Sequence, residues 1–234
     1  MTKLKSQNNS TKALDDISID CVIFGFNNGN LEVLLALHAV GESADKWGLL
    51  GGWLNNEESA DEAAQRILKE LTGLDDIYLE QLKAFTNPNR VPERRVITIA
   101  YYTLVNREDY NIKTGITLKD AKWHKIQDVP NLIFDHNEIL NFSLSQLRIR
   151  VRQVPIGFNL LPEKFTLLEL MHLYEEILNI EMDKSNFRRK ILKMKLLVAL
   201  DEKQQDVSHR AAKLYKFDPE IYTKLTQQGF NFEF

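Results

Sequence analysis

Two stretches of this 234-residue chain concentrate side chains able to do chemistry. The first runs from Lys184 to Lys195 and holds six cations, Lys184, Arg188, Arg189, Lys190, Lys193 and Lys195, with no acid among them. Phe187, Ile191 and Met194 recur there at helical spacing, which marks an apolar underside and turns Ser185, Asn186, Arg188, Arg189, Lys190 and Lys193 outward. Lysine and arginine so placed neutralise phosphates, while Asn186 or an arginine can contact base edges in a DNA major groove. A polar tip at Ser208, His209 and Arg210, with Lys213 and Lys216 nearby, suits contact with the backbone of the same duplex. The second stretch carries Gly52, Glu58, Arg66, Glu70 and Gly73. Carboxylates gathered on one helix face can hold magnesium, which wants hard oxygen donors in near-octahedral geometry. Arg90, Arg94 and Arg95 cluster further on with Asn87, Asn89 and Glu93, and by themselves read as a solvated patch paired with Glu93. His38, His124, His136 and His172 are scattered, with no partner at ligand or triad spacing, and read as ordinary polar residues. Cys21 lies within an apolar run and reads as a small buried hydrophobe.

These residues need elements to position them. Residues up to Asp16 are polar and aperiodic and read as a mobile tail. Ile19 to Phe26 and Leu31 to Leu37 read as strands joined at Asn28-Gly29, and Lys46 to Trp53 as a glycine-bearing loop. Ser59 and Glu62 form the cap of a helix whose buried stripe is Ala60, Ala63, Ala64, Ile67, Leu68 and Leu71, with Gly73 as its stop. Strands follow at Leu79 to Phe85, Val96 to Val105 and Lys122 to Ile126, then a helix from His136 to Gln153. Pro155-Ile156-Gly157 breaks that pattern. Beyond the break, Thr166 and Glu169 cap a third helix, and a short connection through Glu181-Met182-Asp183 leads to the basic helix. Leu196 to Leu200 and Lys213 to Phe217 then read as two strands. Helix, short turn, helix and hairpin is the order of a winged helix-turn-helix.

Composition bounds the rest. With 44% hydrophobic and 27% charged residues, the chain has the balance of a globular protein rather than a disordered one. Thirty basic and 33 acidic residues leave a net charge of −3, which excludes a histone-like polycation and says nothing about a local basic patch. The single cysteine permits no internal disulfide and fits a reducing compartment. No run approaches the ~18 apolar residues of a membrane span, and the polar opening from Met1 to Lys12 has no secretory core, so no membrane partner and a cytoplasmic location are expected.

From Gly52 to Leu74 the chain resembles the Nudix box, with Gly52, Glu58, Arg66, Leu68, Glu70, Gly73 and Leu74 in the family's places. Taken with Phe134-Asp135-His136, Pro155 to Pro162, Phe165-Thr166-Leu167, Leu173-Tyr174-Glu175, Asp183 to Lys190 and Leu214 to Phe217, it resembles the Nudix-related transcriptional regulators. In these a degenerate Nudix domain senses a small molecule and a C-terminal winged helix binds an operator. The resemblance implies an α+β protein: a tail over residues 1–16, a Nudix α/β/α sandwich over 17–155 and a winged helix-turn-helix over 156–234. The family sets three glutamates along the box helix, whereas this chain has Ile67, Glu70 and Leu71 there. The hydrolase site is therefore expected to be dismantled, with no catalytic residue, metal or cofactor, and Glu58, Arg66 and Glu70 left to brace the loop-helix turn; the alternative for Glu58 and Glu70 is residual metal binding. Gly51 and Gly52 are expected to adopt backbone conformations closed to other residues. In such folds Arg90, Arg94 and Arg95 border the cleft, which implies an effector site with Trp53 and Phe85 (and Trp47) placed to stack on the ligand or to pack in the core. The expected protein is a homodimeric repressor of a sugar or NAD-related operon, bound to a palindromic double-stranded operator. Its effector would be a sugar, a sugar phosphate or an ADP-ribose-like molecule. The competing readings are an active Nudix hydrolase of ADP-ribose or a nucleotide sugar, and an inert ligand-binding protein whose C-terminal half binds another protein.

Overall fold

The computed structural model describes residues 13–39, 44–75, 77–92, 94–107, 118–205 and 211–233. β1 (Ala13–Asn27) and β2 (Asn30–His38) form a hairpin. Asn28 and Gly29 close it at φ 48° and 77°, the paired positive values that an Asn-Gly turn supplies. β1 begins inside the segment expected to be tail, because Ala13 pairs with Asn55 and the sheet ladder satisfies its backbone groups. The glycine-bearing loop is likewise strand: β3 (Trp47–Gly48) pairs with β2, and β4 (Leu50–Asn55) pairs with β1. α1 (Ala60–Thr72) carries the expected reciprocal cap between Ser59 and Glu62 and ends at Gly73, φ 75°.

β5 (Glu80–Phe85), β6 (Ile97–Asn106) and β7 (Leu118–Lys125) complete a seven-stranded mixed sheet in which β1 runs parallel to β6. Strand alternation divides β1 between two faces. Ile19 and Cys21 pack with Ala63, Ala64 and Ile67 of α1, while Val22 and Phe24 face α2 (His136–Gln153) through Ile139, Leu140 and Leu144. Burial pushes the Cys21 thiol far up, so it is a packing group and not a nucleophile.

A short 3-10 helix, Ile156–Leu160, follows α2. Then come β8 (Phe165–Thr166), α3 (Leu167–Leu178), α4 (Lys184–Lys193), β9 (Leu197–Lys203) and β10 (Lys213–Phe217), with the strands in the order β8-β10-β9. Thr166 and Glu169 make the second reciprocal cap. A further helix absent from the sequence reading, α5 (Pro219–Gln227), is capped by Asp218 and leans on β10, with the Tyr222 and Phe217 rings 6.3 Å apart. Among the described residues no helix is long and apolar enough to cross a membrane.

One hydrophobic core joins the two halves. It runs from Val22, Phe24 and Val33 through Leu147 and Val151 of α2 to Leu173, Tyr174 and Ile177 of α3, and on to Phe187 and Ile191 of α4. Leu147 is fully buried in it. Leu147→Ala is expected to cost about 2–5 kcal/mol. The loss should appear as one urea transition shared by tryptophan fluorescence and circular dichroism, and two separable transitions would contradict the shared core.

Candidate nucleic-acid interface and effector cleft

α4 presents its cations because its other side is committed to the core. Asp183 caps the helix by accepting the Asn186 N–H at 2.8 Å, and Glu175 of α3 accepts the Met182 N–H at 2.8 Å, which fixes the turn between the two helices. Phe187 and Ile191 are buried, with the Phe187 ring edge-on to Tyr174 at 6.3 Å, and Met194 is half-buried. Lys184, Ser185, Asn186, Arg188, Arg189, Lys190 and Lys193 are all exposed, so the structure brings these seven predicted residues onto one surface. Arg189 Nη2 donates to Asn186 Oδ1 at 2.8 Å, which orients the two groups best suited to base edges. Lys213 is exposed at the start of β10; His209 and Arg210 lie outside the described residues.

In the Nudix-like half a cleft of about 290 Å³ opens beside α1, lined by His38, Leu49, Gly51, Trp53, Ile67 and Leu71 among others. Arg66 braces its rim. Its Nε and Nη2 donate to the two oxygens of Glu58 at 2.8 and 2.6 Å, Nη1 to Glu70 at 3.2 Å, and Nη2 also to the Trp53 carbonyl at 2.9 Å. Hydrogen bonds from Arg66 hold the Glu58 carboxyl below its ordinary range. Both carboxylates are thus turned to the guanidinium, and Ile67 and Leu71 offer no oxygen. With Glu58 and Glu70 both bonded to Arg66 and only apolar side chains at Ile67 and Leu71, the chemistry of this helix face does not fit magnesium. Ile67, 2% exposed, fills the space beneath Gly52, where an added Cβ would sit 3.1 Å from it. Gly51 is also needed for space and not for an unusual backbone angle, which corrects the sequence expectation for both glycines: a Cβ there would collide with Asp20 Oδ1 and lie 2.8 Å from the Ile19 carbonyl. Trp53, 39% exposed, carries Arg94 over its ring at 4.6 Å.

Residues 16–142 match the NUDIX domain family, and residues 157–217 match the NrtR DNA-binding winged helix domain. The chain belongs to the Nudix-related transcriptional regulators. It is 29% identical over 210 residues to the ADPR responsive transcriptional repressor NtrR of Acinetobacter baylyi, covering 88% of this chain and 83% of that protein. The crystal structure of Shewanella oneidensis NrtR complexed with a 27mer DNA superposes with a TM-score of 0.77 at 27% identity, over 92% of this chain and 97% of that one. The NUDIX domain of the same Shewanella protein, cocrystallised with ADP ribose, matches with a TM-score of 0.53 at 27% identity, over 60% of this chain and 93% of that one.

Two of the expected effector ligands of this Nudix regulator are elsewhere. Arg90 is not in the cleft: its side chain is 2% exposed and forks onto Asp135, Nε to Oδ2 at 2.9 Å and Nη2 to Oδ1 at 2.6 Å. Phe85, 4% exposed, packs edge-on to Phe142 in the core. Arg95 is exposed and donates to the Thr86 carbonyl at 2.8 Å. Trp47 is half-buried against His124. His136 is no ordinary polar residue either. It is buried, its Nδ1 accepts the Leu49 N–H at 2.9 Å, and burial pushes its pKa down to about 3, so it is neutral. Asp20, 3.6 Å from both His136 Nε2 and Arg90 Nη2, is pushed up to about 6 by burial, with Asp135 adding to the rise and Arg90 opposing it.

These two groups pull stability in opposite directions with pH. Asp20 binds its proton more tightly folded (about 6) than unfolded (3.8), so its contribution is present below 3.8 and lost as pH rises through 6. His136, at about 3 folded against 6.5 unfolded, contributes above 6.5 and loses that contribution as pH falls towards 3. Asp20→Asn is therefore expected to gain stability relative to the wild type, on the order of 2 kcal/mol, between about pH 4 and about pH 7. Urea titrations at each pH measure this, and a difference that does not change with pH would contradict the burial of a titrating Asp20.

Proposed function

We propose that the protein is a transcriptional repressor that binds a palindromic operator as a homodimer. Its effector is ADP-ribose or a similar sugar nucleotide or sugar phosphate, held uncut in the Nudix cleft. The observation that carries this is the outward face of α4, where the exposed cations flank the Asn186–Arg189 pair while Phe187 and Ile191 lock the helix from beneath. Lys184, Arg188, Lys190, Lys193 and, from the hairpin, Lys213 neutralise phosphates; His209 and Arg210 are proposed to do the same from the wing. Ser185, Asn186 and Arg189 face the base edges. One such helix contacts too few bases for useful selectivity, and two-fold pairing sets a second copy about one DNA turn away.

Three observations support the effector. The stacked Trp53–Arg94 pair offers a π-face and a cation at the cleft mouth, with Arg95 on the segment that follows. The Acinetobacter relative is named as responsive to ADPR, and the Shewanella domain was crystallised with ADP ribose. Ile67 and Leu71 replace carboxylates that magnesium-dependent cleavage would need, so the cleft binds without turnover. An NAD-related or sugar-metabolic operon in the cytoplasm is the corresponding target.

Arg188→Ala and Arg189→Ala test the interface. On a duplex recovered by selection from a random pool, each is expected to weaken binding by about 1–3 kcal/mol; Arg188→Ala should also lower the salt dependence by about one counterion, whereas Arg189→Ala should relax the sequence preference. Fluorescence anisotropy over a range of salt and of duplex sequence measures these quantities. Unchanged affinity in both variants would contradict the assignment of α4.

A further inference from the structure

α2 reaches from the cleft to the winged helix. Its 18 residues, at about 1.5 Å each, make a rod of about 27 Å. At its start, four chain segments meet in one buried knot. Asp135 takes the fork of Arg90, which comes from the connection between β5 and β6, and His136 Nδ1 takes the Leu49 N–H from between β3 and β4. Asp20 of β1 stands between them, 3.6 Å from Arg90 Nη2 and from His136 Nε2, and directly under Gly51. Leu49 and Gly51 are themselves cleft lining. Phe134, just before the helix, is held at φ 51°, a conformation that a bulky residue keeps only when its surroundings fix it. At the far end Arg148 Nε donates to the Ile177 carbonyl in the last turn of α3 at 2.8 Å, and Leu147 and Val151 share the core with Phe187 of α4.

Resting on the effector reading above, we infer that Arg90 is the positioning residue through which an occupied cleft acts on the recognition helix. It touches no ligand. Its fork ties the start of α2 to the floor of the cleft, so a ligand that displaces the strand at Gly51 moves α2 as a rod, and α3 and α4 with it. Asp20 gives the guanidinium a second carboxylate within reach, so that Arg90 is anchored to β1 beneath Gly51 as well as to the start of α2. Lysine in its place would keep the charge and lose the fork.

The test uses the full chain, ADP-ribose as probe and the selected duplex. The variants are Arg90→Lys, and the combined replacement Arg90→Met, Asp135→Leu and Asp20→Asn, which removes the three neighbouring buried charges together and strands none of them. Calorimetry gives the ADP-ribose Kd, and anisotropy gives the operator Kd with and without saturating ADP-ribose. In a folded variant each separate affinity is expected within about threefold of wild type, while the ratio of the two operator constants falls towards one. A merely structural role would not move that ratio alone. A wild-type ratio in Arg90→Lys overturns the inference, as does loss of ADP-ribose binding itself, which would put Arg90 in the ligand site. If neither variant folds, amide exchange of the wild type decides: ADP-ribose should change exchange at Leu49, along the first turn of α2 and on into α4. Changes confined to the cleft overturn it. A wild-type operator ratio of one would instead refute the effector reading, and the inference with it.

Discussion

The packing of α2 between the large sheet and α3 is the contact on which the rest of the molecule depends. Ile139 and Leu147 are fully buried, Leu140 and Leu144 nearly so, and the helix keeps only a narrow wet stripe through Asn141, Ser145 and Ile149. Its partners lie on both sides, Val22, Phe24 and Val33 in the sheet and Leu173, Tyr174 and Ile177 in α3. Burial of a large aliphatic side chain stabilises by about 1.5–3 kcal/mol, and here many such side chains belong to both halves at once. The winged helix is therefore a continuation of the sensor's core and not a module on a tether. A signal from the cleft has a packed route to α4, because interiors packed at crystal-like density transmit displacement instead of absorbing it.

The same preference for packing explains the cleft. A carboxylate at position 67 would lie beneath Gly52 against Ile19, Cys21 and Ala64, a site that tolerates a charge only with a cation to pair it. Isoleucine removes that requirement and adds its own burial. Glu58 and Arg66 remain because their work is mechanical: together they tie Asn55, Trp53 and α1 into one rim. Where α1 faces the pocket, Ile67 contributes to both the pocket lining and the core.

Elements written in local periodicity were legible in the sequence. The two capping boxes, the Asn-Gly turn, the limits of α2 and of β10, and the apolar underside of α4 all follow from spacing within a few residues. What escaped depends on distant partners. β3 and β4 are short, glycine-rich and without alternation, and are strands because β2 and β1 pair with them. α5 is different: it buries no residue fully, but Asp218 as its cap and Pro219 at its first position are a local start signal that the sequence reading did not use. Arg90 and Phe85 sit in the same segment as Arg94 and Arg95, yet two point inward and two outward, and nothing local distinguishes them. The signal that could have found Arg90 is Asp135: an aspartate at a helix N-cap ordinarily bonds its own helix, whereas this one makes no cap bond and takes the arginine fork 45 residues away.

The central claim is that this Nudix cleft holds its ligand without cutting it. It is tested most directly by phosphorus NMR of ADP-ribose incubated with stoichiometric protein and magnesium. Resonances of the intact diphosphate that shift and broaden on binding, with no phosphomonoester growing beyond the protein-free control, are the predicted result. Phosphomonoester signals of AMP and ribose phosphate accumulating at an enzyme-like rate would contradict the account.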